Sequence, residues 1–556
     1  MTRRTALLSM SAGAAAAVWP AGAQEIPSAV VTRTDVAAES YLKSQITEAG
    51  PWQGSVPDEY GMHLAGTASG VIEILAAAVN YSGSKFYRSN EAVERIRLAA
   101  GFLERSQSPE GFIDLLSTNF NSCPDTGFVV HNVGTAGAVA KISGNDTVLG
   151  ILRPFLTKAA NGMAEGGIHT PNHRWVVSSA LAQVNDLFPN PAYMRRIEQW
   201  LAEGIDIDGD GQYTERSTVT YNTICDRAFT VLAAKLKRPE LLDPVRKNLR
   251  AMMYLLHPDG EVVTEVSRRQ DQYVRGTMAG YWFPVQYLAV HDADGQFAAL
   301  ARGLAPDNAR LSALIEYPEL QKALPAATAL PTDYEKVMPE VGLTRIRRGA
   351  LDATLILAND SRFFTARKDG VVVQAVRFAT SFFGKGQFVP ASTVGSEGSY
   401  VGSQSLSAPY YQPLVPPQKV NYRNWSALRD QRHKTQICTM EQSVTMKEKA
   451  GGFDLRIQSR GASGGASLGV PLAIEINLRE GGRLEGCRAA PHAEDAWILD
   501  SGYAKYSVGG QSVRIGPGVA AHSLTQLRGA DPKLPGVSIY LTGYTPFDRT
   551  VSIEFS

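Results

Sequence analysis

The sequence is poor in the features that most readily advertise a function. Four cysteines, Cys123, Cys225, Cys438 and Cys487, are scattered over 556 residues and form no CxxC pair. That excludes a zinc ribbon or a dense disulfide framework, and free buried thiols are at least as well supported as one or two disulfides. Charge of one sign is missing as well, because 55 lysines and arginines face 54 acidic residues. No net field recruits nucleic acid or an anionic membrane. Beyond the N-terminus no apolar run is long enough to cross a bilayer. What is present, 44% hydrophobic and 20% charged residues, is ample for packed cores, and the length predicts two or three domains.

The first residues read as an address. Thr2-Arg3-Arg4 precedes an alanine-rich apolar stretch and then Ala21-Gly22-Ala23, the pattern of a twin-arginine signal cleaved after Ala23. It predicts a bacterial protein that is periplasmic or secreted. From about 35 to 320 the apolar spacing is helical, as in Val93-Ile96-Leu98-Ala99-Phe102-Leu103, with turns such as Pro109-Glu110-Gly111 and Pro258-Asp259-Gly260. After a linker over 321–335 the pattern changes to short alternating runs rich in Val, Ile, Phe and Tyr. The glycine pairs Gly451-Gly452, Gly464-Gly465, Gly481-Gly482 and Gly509-Gly510 punctuate them as hairpin turns. The fold class read from this is α+β: an array of helical hairpins followed, over 336–556, by an antiparallel β-sandwich.

Polar chemistry concentrates in the helical half. In GGIHTPNHRWVVSSALAQV, from Gly166, Thr170-Pro171 signals a helix start, with threonine a cap for orphan amides and proline tolerated in the first turn. Asn172 and His173 then fall where the helix field disfavours imidazolium and favours a bound carboxylate. His169, Arg174 and Trp175 flank them as substrate-binding candidates. From Gly204, Tyr213-Thr214-Glu215-Arg216-Ser217 leads into Tyr221-Asn222 and an apolar helix, so either tyrosine can present a phenol as acid or base. Asp206-x-Asp208-x-Asp210-Gly211 imitates the start of an EF-hand loop, but position twelve is Ser217 where a bidentate glutamate is required. A solvated turn is the better reading, and Glu215 is left to complete an irregular site or to orient Arg216. Arg268 and Arg269 are candidate clamps for an acidic substrate, since a guanidinium fork matches a carboxylate; the plain alternative is surface ion pairs with Glu265 and Asp271. A further segment adds Asp125, His131 and Asn132. In the β-half, Trp425 and His433 cluster with Arg429 and Arg432, an aromatic surface for sugar, with His433 a contact or a metal ligand.

These motifs, Asn172-His173-Arg174-Trp175 followed by Tyr213 to Ser217 and Tyr221-Asn222 within a helical half and a glycine-rich β-half, resemble the heparinase II/III-like polysaccharide lyases and related α/α-toroid lyases. The resemblance spans nearly all of the mature chain as architecture. It implies an incomplete (α/α) toroid stacked on antiparallel sheets, with cleavage of a uronic-acid glycan by β-elimination to an unsaturated uronate. It implies Asn172 as the amide that neutralises the uronate carboxylate, His173 as its partner or a base, and Tyr221 as the phenol that handles the proton. The family's usual Tyr-His is Tyr221-Asn222 here, which makes Tyr213 the fallback. Within the superfamily the similarity leans towards enzymes acting on rhamnose-capped glucuronate in arabinogalactan. The implied partner is an acidic polysaccharide or oligosaccharide, with no cofactor required and a divalent cation, calcium or zinc, left open. Two rivals remain: a toroid glycoside hydrolase with paired carboxylates drawn from Asp125, Asp210, Glu215 and Glu265, and a non-catalytic carbohydrate-binding protein.

Overall fold

The computed structural model describes residues 25–356, 358–396, 398–461 and 469–556; the export signal read over 1–23 lies outside them. Contacts divide the chain into two units, one of residues up to Met252 with Ser267–Leu330, the other of Met253–Val266 with Pro331–Ser556. No helix among the described residues is long and apolar enough to cross a membrane. All four cysteines are unpaired.

The first unit is built of α1 (Ser28–Ser44), α2 (Ala65–Asn80), α3 (Asn90–Ser106), α4 (Cys123–Ile142), α5 (Asp146–Glu165), α6 (Asn172–Leu187), α7 (Pro191–Ala202), α8 (Tyr221–Leu236), α9 (Asp243–Met252), α10 (Trp282–His291), α11 (Gly295–Asn308) and α12 (Leu311–Glu316). Composition sorts them. In α3 only Ala92, Ile96, Ala99, Ala100, Phe102 and Leu103 are buried, one stripe of an otherwise charged helix. α4 is rich in small apolar residues and α6 has a small middle, Val176 to Ala182, and most residues of both are buried, including polar Asn172, His173 and Arg174 of α6. α2, α4, α6 and α8 accordingly pack in succession, α2 on α4, α4 on α6 and α6 on α8, with α3, α5 and α7 against them and α12 against α2 and α4. Glycines permit the closest approach: a Cβ on Gly137 of α4 would stand 2.7 Å from Leu187 of α6, and one on Gly127 would stand 3.1 Å from Val176.

A five-residue turn recurs along this part of the chain, at Asp58–Met62, Ser108–Phe112, Asp208–Gln212 and His257–Glu261. In each, the first amide donates to the fifth carbonyl at 2.7–2.9 Å, and a glycine in fourth place donates back to the first carbonyl at 3.0–3.1 Å. That glycine has positive φ every time, from 79° to 99°, a conformation that costs other residues more. A Cβ on Gly111 would also lie 2.4 Å from the Lys158 carbonyl, so the turn seats directly on helix backbone.

The second unit holds an eight-stranded and a ten-stranded sheet. Val376, Phe378 and Ile474 of the ten-stranded sheet share one core with Val444, Leu455 and Ile553 of the other. Pairing is mostly antiparallel, but Ala496–Ile498 runs parallel to Val537–Tyr544, so the ten-stranded sheet is mixed where the sequence reading had it antiparallel. Hairpins turn at Gly451, between Lys449 and Gly452, and at Gly509-Gly510, between Val508 and Gln511; Gly464-Gly465 lies outside the described residues. Gly481-Gly482 is not a hairpin turn. The strands on either side, Pro471–Leu478 and Arg483–Glu485, belong to different sheets. The Gly482 amide donates to the Tyr506 hydroxyl at 2.7 Å, and a Cβ there would stand 2.3 Å from the Tyr506 ring.

The division also departs from a single linker at 321–335, because the fourth turn and its flanks, Met253–Val266, belong with the strands. The cause is charge. Glu261 pairs with Arg367 at 2.9 Å and Arg479 at 2.8 Å, while His257 Nδ1 lies 2.7 Å from Asp352.

Candidate functional site

In the helical unit the first turns of α2, α4, α6 and α8 open on one cavity of 580 Å³, through Ala65, Asp125, His173 and Tyr221; the loop after Val266 adds Arg269 and Gln270. Helix N-termini carry partial positive charge, so four of them at one cavity make it a favourable place for an anion. A small hairpin of Ile113–Leu115 and Asn119–Ser122 forms another part of the wall.

α6 begins at Asn172, but Thr170 does not cap it as anticipated, and no side chain caps this end. The Thr170 hydroxyl instead accepts from Asn172 Nδ2 at 3.1 Å, and the same amide nitrogen donates to Glu215 Oε2. With both hydrogens committed and 2% of its surface exposed, Asn172 stands behind the wall and holds Glu215. The Asn172 Oδ1, Glu215 Oε1 and His173 Nδ1 atoms are buried without a hydrogen-bond partner among the described residues.

His173 lies edge-on to His169, with ring centroids 4.6 Å apart. Burial pushes its pKa down to about 4, with the fields of His169 and Arg269 adding to the effect and Asp125 opposing it. The neutral imidazole read from the sequence is therefore present, though loss of water is its first cause and not the helix field. An NMR titration should find His173 with a midpoint of about 4, against about 6.5 for an unperturbed imidazole; a midpoint near the latter would remove the neutral-base argument.

Tyr221, the first residue of α8, has its backbone amide on Ser217 Oγ at 3.0 Å, and that hydroxyl donates to Asp271 at 2.9 Å. Its phenol oxygen accepts from Gln270 Nε2 at 3.0 Å, and the Arg269 guanidinium covers the ring at 5.1 Å. Hydrogen bonding to that phenol, with the field of Glu215, holds Arg269 above the usual guanidinium range. Arg269 Nε stands 3.9 Å from Glu215 Oε1. Burial raises the Glu215 carboxyl, and Asn172 and Arg269 pull it back. One polar chain thus runs Asn172, Glu215, Arg269, Tyr221, Gln270.

The structure separates other residues that the sequence had grouped here. Tyr213 does not line the cavity: it is 2% exposed, its hydroxyl bonds Asp226 at 2.9 Å, and burial raises its pKa far above the usual phenol. Trp175 is wholly buried and donates to Asp206 at 2.9 Å; Arg174 pairs with Asp206 at 2.8 Å and Glu203 at 3.2 Å. Arg216 lies 3.5 Å from Asp208, whose other oxygen accepts from the Gln212 amide at 2.8 Å. Asp206 and Asp208 are thereby committed to cations and amides, and Asp210 belongs to the same turn. No group of three or more metal-ligating side chains occurs among the described residues. His131 is buried beside Ser179 at 2.9 Å and desolvated to a pKa of about 3. Asn132 bonds Ser69 at 3.0 Å. Arg268 is exposed and off the wall. In the strand unit Arg432 covers the half-exposed Trp425 at 4.9 Å, and His433 is an exposed residue whose carbonyl accepts from the Gln412 amide at 2.9 Å.

The sequence reading had Glu215 completing an irregular site, orienting Arg216 or serving as a hydrolase carboxylate; its meeting with Asn172 across 43 positions is what no local spacing announces. One contributor escaped the sequence reading. Phe128, beside His173 at 6.2 Å, sits one turn beyond Asp125, the interval that places two residues on one helix face; that was the available signal.

No family model and no curated protein matches the chain. Among solved structures, 95% of it is similar to 79% of a chondroitin AC lyase from Streptomyces coelicolor A3, with TM-score 0.56 and 15% identity. A heparan sulfate lyase, HepC, from Pedobacter heparinus matches 96% of this chain over 84% of its own, with TM-score 0.51 and 11% identity. A Paenibacillus xanthan lyase matches 95% over 57% of its own, with TM-score 0.53 and 10% identity. The chain has the fold of the α/α-toroid polysaccharide lyases.

Proposed function

We propose that this protein is a carbon-oxygen lyase that cleaves a uronic-acid glycan, glucuronate foremost, by β-elimination. The observation that carries the reading is the meeting of a neutral His173, the Tyr221 phenol and a charged Arg269 on one cavity. The C5 proton of a uronate is weakly acidic until the charge of its carboxylate is offset. Arg269 supplies that offset and stabilises the enolate that develops as the proton leaves. Glu215, held by Asn172, keeps the guanidinium in place, so Asn172 acts through Glu215 and Arg269. A base takes the C5 proton, the electron pair forms the C4–C5 double bond, the C4–O bond breaks, and an acid protonates the departing oxygen.

In glucuronate the C5 proton and the C4 oxygen lie on one face of the ring, so Tyr221 as phenolate takes the first, and the phenol so formed protonates the second. For galacturonate or iduronate they lie on opposite faces, and His173 is then the base. We place the enzyme outside the cytoplasm on its N-terminal twin-arginine pattern. Rhamnose-capped glucuronate in arabinogalactan is the substrate towards which the family resemblance leans.

The test is a panel of uronate glycans, arabinogalactan included, followed by ultraviolet absorbance with and without chelator. The expected result is an absorbance gain from the unsaturated product. Depolymerisation with no gain would identify a hydrolase instead, and binding without turnover across the panel would identify a carbohydrate-binding protein.

A further inference from the structure

Three of the helices that open on the reaction cavity continue past it and line a second, inner cavity of 680 Å³. α2 passes from Gly66 to Gly70 and Glu73, α4 from Asp125 and Phe128 to Asn132 and Thr135, and α8 from Tyr221 to Arg227 and Val231. These steps of three to four residues, or their sums, follow one face of each helix. Ile224 belongs to both walls. Six residues separate Tyr221 from Arg227, or about 9 Å along α8.

Arg33, Arg227 and Arg310 share the inner wall with Glu73, Asp307 and Glu316. The partly buried Arg227 guanidinium makes no hydrogen bond or ion pair with any described residue, and Arg310, whose field repels it, makes none through its side chain either. Glu73 exerts the largest field that favours the Arg227 charge and also accepts from Ser312 Oγ at 2.6 Å, and Glu316 pairs with Lys235 at 2.9 Å. Arg33 donates to the Pro306 and Ala309 carbonyls. The Tyr317 hydroxyl is buried without a hydrogen-bond partner among the described residues. A half-buried guanidinium with no hydrogen-bonded partner is matched best by a carboxylate. The cavity is also far larger than an inorganic anion needs and falls in the size range of small-molecule sites.

We propose that the inner cavity is a second binding site for a carboxylated monosaccharide. Arg227 and Arg310 hold the carboxylate, and Tyr317, Asn132 and Thr135 meet its hydroxyls. The demand for an anion stands on Arg227 alone; the choice of a sugar acid rests on the proposed reaction.

The test is calorimetric titration of the full chain carrying Tyr221→Phe and Arg269→Gln, which disables the reaction cavity, with sodium glucuronate, glucose and sodium sulfate. Glucuronate is expected to bind at one per chain, with glucose and sulfate weaker by at least about tenfold. Adding Arg227→Gln should weaken glucuronate by at least about tenfold, and Arg227→Lys by less. Gly70→Leu should block the site without touching the charge, because a Cβ there meets nothing nearer than the Tyr41 hydroxyl at 3.8 Å. Unchanged binding in both Arg227→Gln and Gly70→Leu, sulfate binding as tight as glucuronate, or no glucuronate binding at all overturns the proposal. Failure of the lyase reading is read separately, as absent ultraviolet gain from the unmodified protein.

Discussion

Replacing Tyr221 by phenylalanine lowers kcat on the responsive glycan by about 10³-fold and moves KM by less than about threefold. The change removes one oxygen. The ring stays beneath Arg269, and the backbone amide of residue 221 keeps Ser217 Oγ, so the first turn of α8 and the anion-binding guanidinium are retained. What disappears is the group that protonates the departing oxygen, a loss felt in the transition state and hardly in the bound substrate. Arg269→Gln should behave differently, raising KM as well as lowering kcat, because a guanidinium on the uronate carboxylate acts before and during the chemistry. Initial rates by ultraviolet absorbance separate the two patterns. A Tyr221→Phe enzyme within about tenfold of the parent would take the phenol out of the proton transfer.

The second large effect is on stability, in the strand unit. Asp352→Ala should destabilise it by about 3–5 kcal/mol, because it leaves buried charge without its counter-ion. Asp352 Oδ2 lies 2.7 Å from His257 Nδ1 and also accepts from Arg345, whose side chain is wholly buried. Burial and the neighbouring arginines lower the pKa of His257 although Asp352 opposes them, so the imidazole is neutral and donates from Nδ1. Arg345 and His257 together hold the Asp352 carboxyl far below the usual carboxylate range. Without it, Arg345 keeps the Tyr254 carbonyl at 3.1 Å, Thr354 Oγ1 at 2.5 Å and His257 Nδ1 at 3.5 Å, none of them an anion. Calorimetry should show the unfolding transition lowered on the order of 10 °C; a shift of a degree or two would mean that water reaches the pair.

The same cluster sets a pH window. The guanidinia of Arg479 and Arg367 hold Glu261 down at about 2 from an ordinary 4.5, against the opposing effect of burial. A carboxyl depressed on folding contributes stability that is complete above its unfolded value and is lost as pH falls from there towards the folded one.

Much of the architecture was legible because it depends on periodicity and punctuation. The stripe of α3, the small residues of α6 and the change to alternating runs after Pro331 each report burial directly. The site was legible only where its residues are neighbours in the chain. His169, His173 and Tyr221 were found from helix starts, and Arg269 from its charged context; all four reach one cavity. Tyr213 and Tyr221 look alike in sequence, each beside a turn and a helix. Eight residues apart, one ends in the core against Asp226 and the other at the cavity, a difference decided by packing against Phe229 and Trp175. The calcium-like aspartates, read from the missing glutamate as a turn, do belong to one, and its carboxylates answer Arg174, Trp175 and Arg216.

The excursion of Met253–Val266 decides what can be cut from this molecule. A chain ending at Leu330 would keep His257 and Glu261 while losing Asp352, Arg367 and Arg479, their partners. Such a fragment carries a fourteen-residue insert with no core to enter, lodged between α9 and the loop that bears Arg269. The helical part is therefore not a severable module, although its last helix ends before the strands begin. Melting of the strand sheets would free Met253–Val266, the segment that ends just before the loop bearing Arg269.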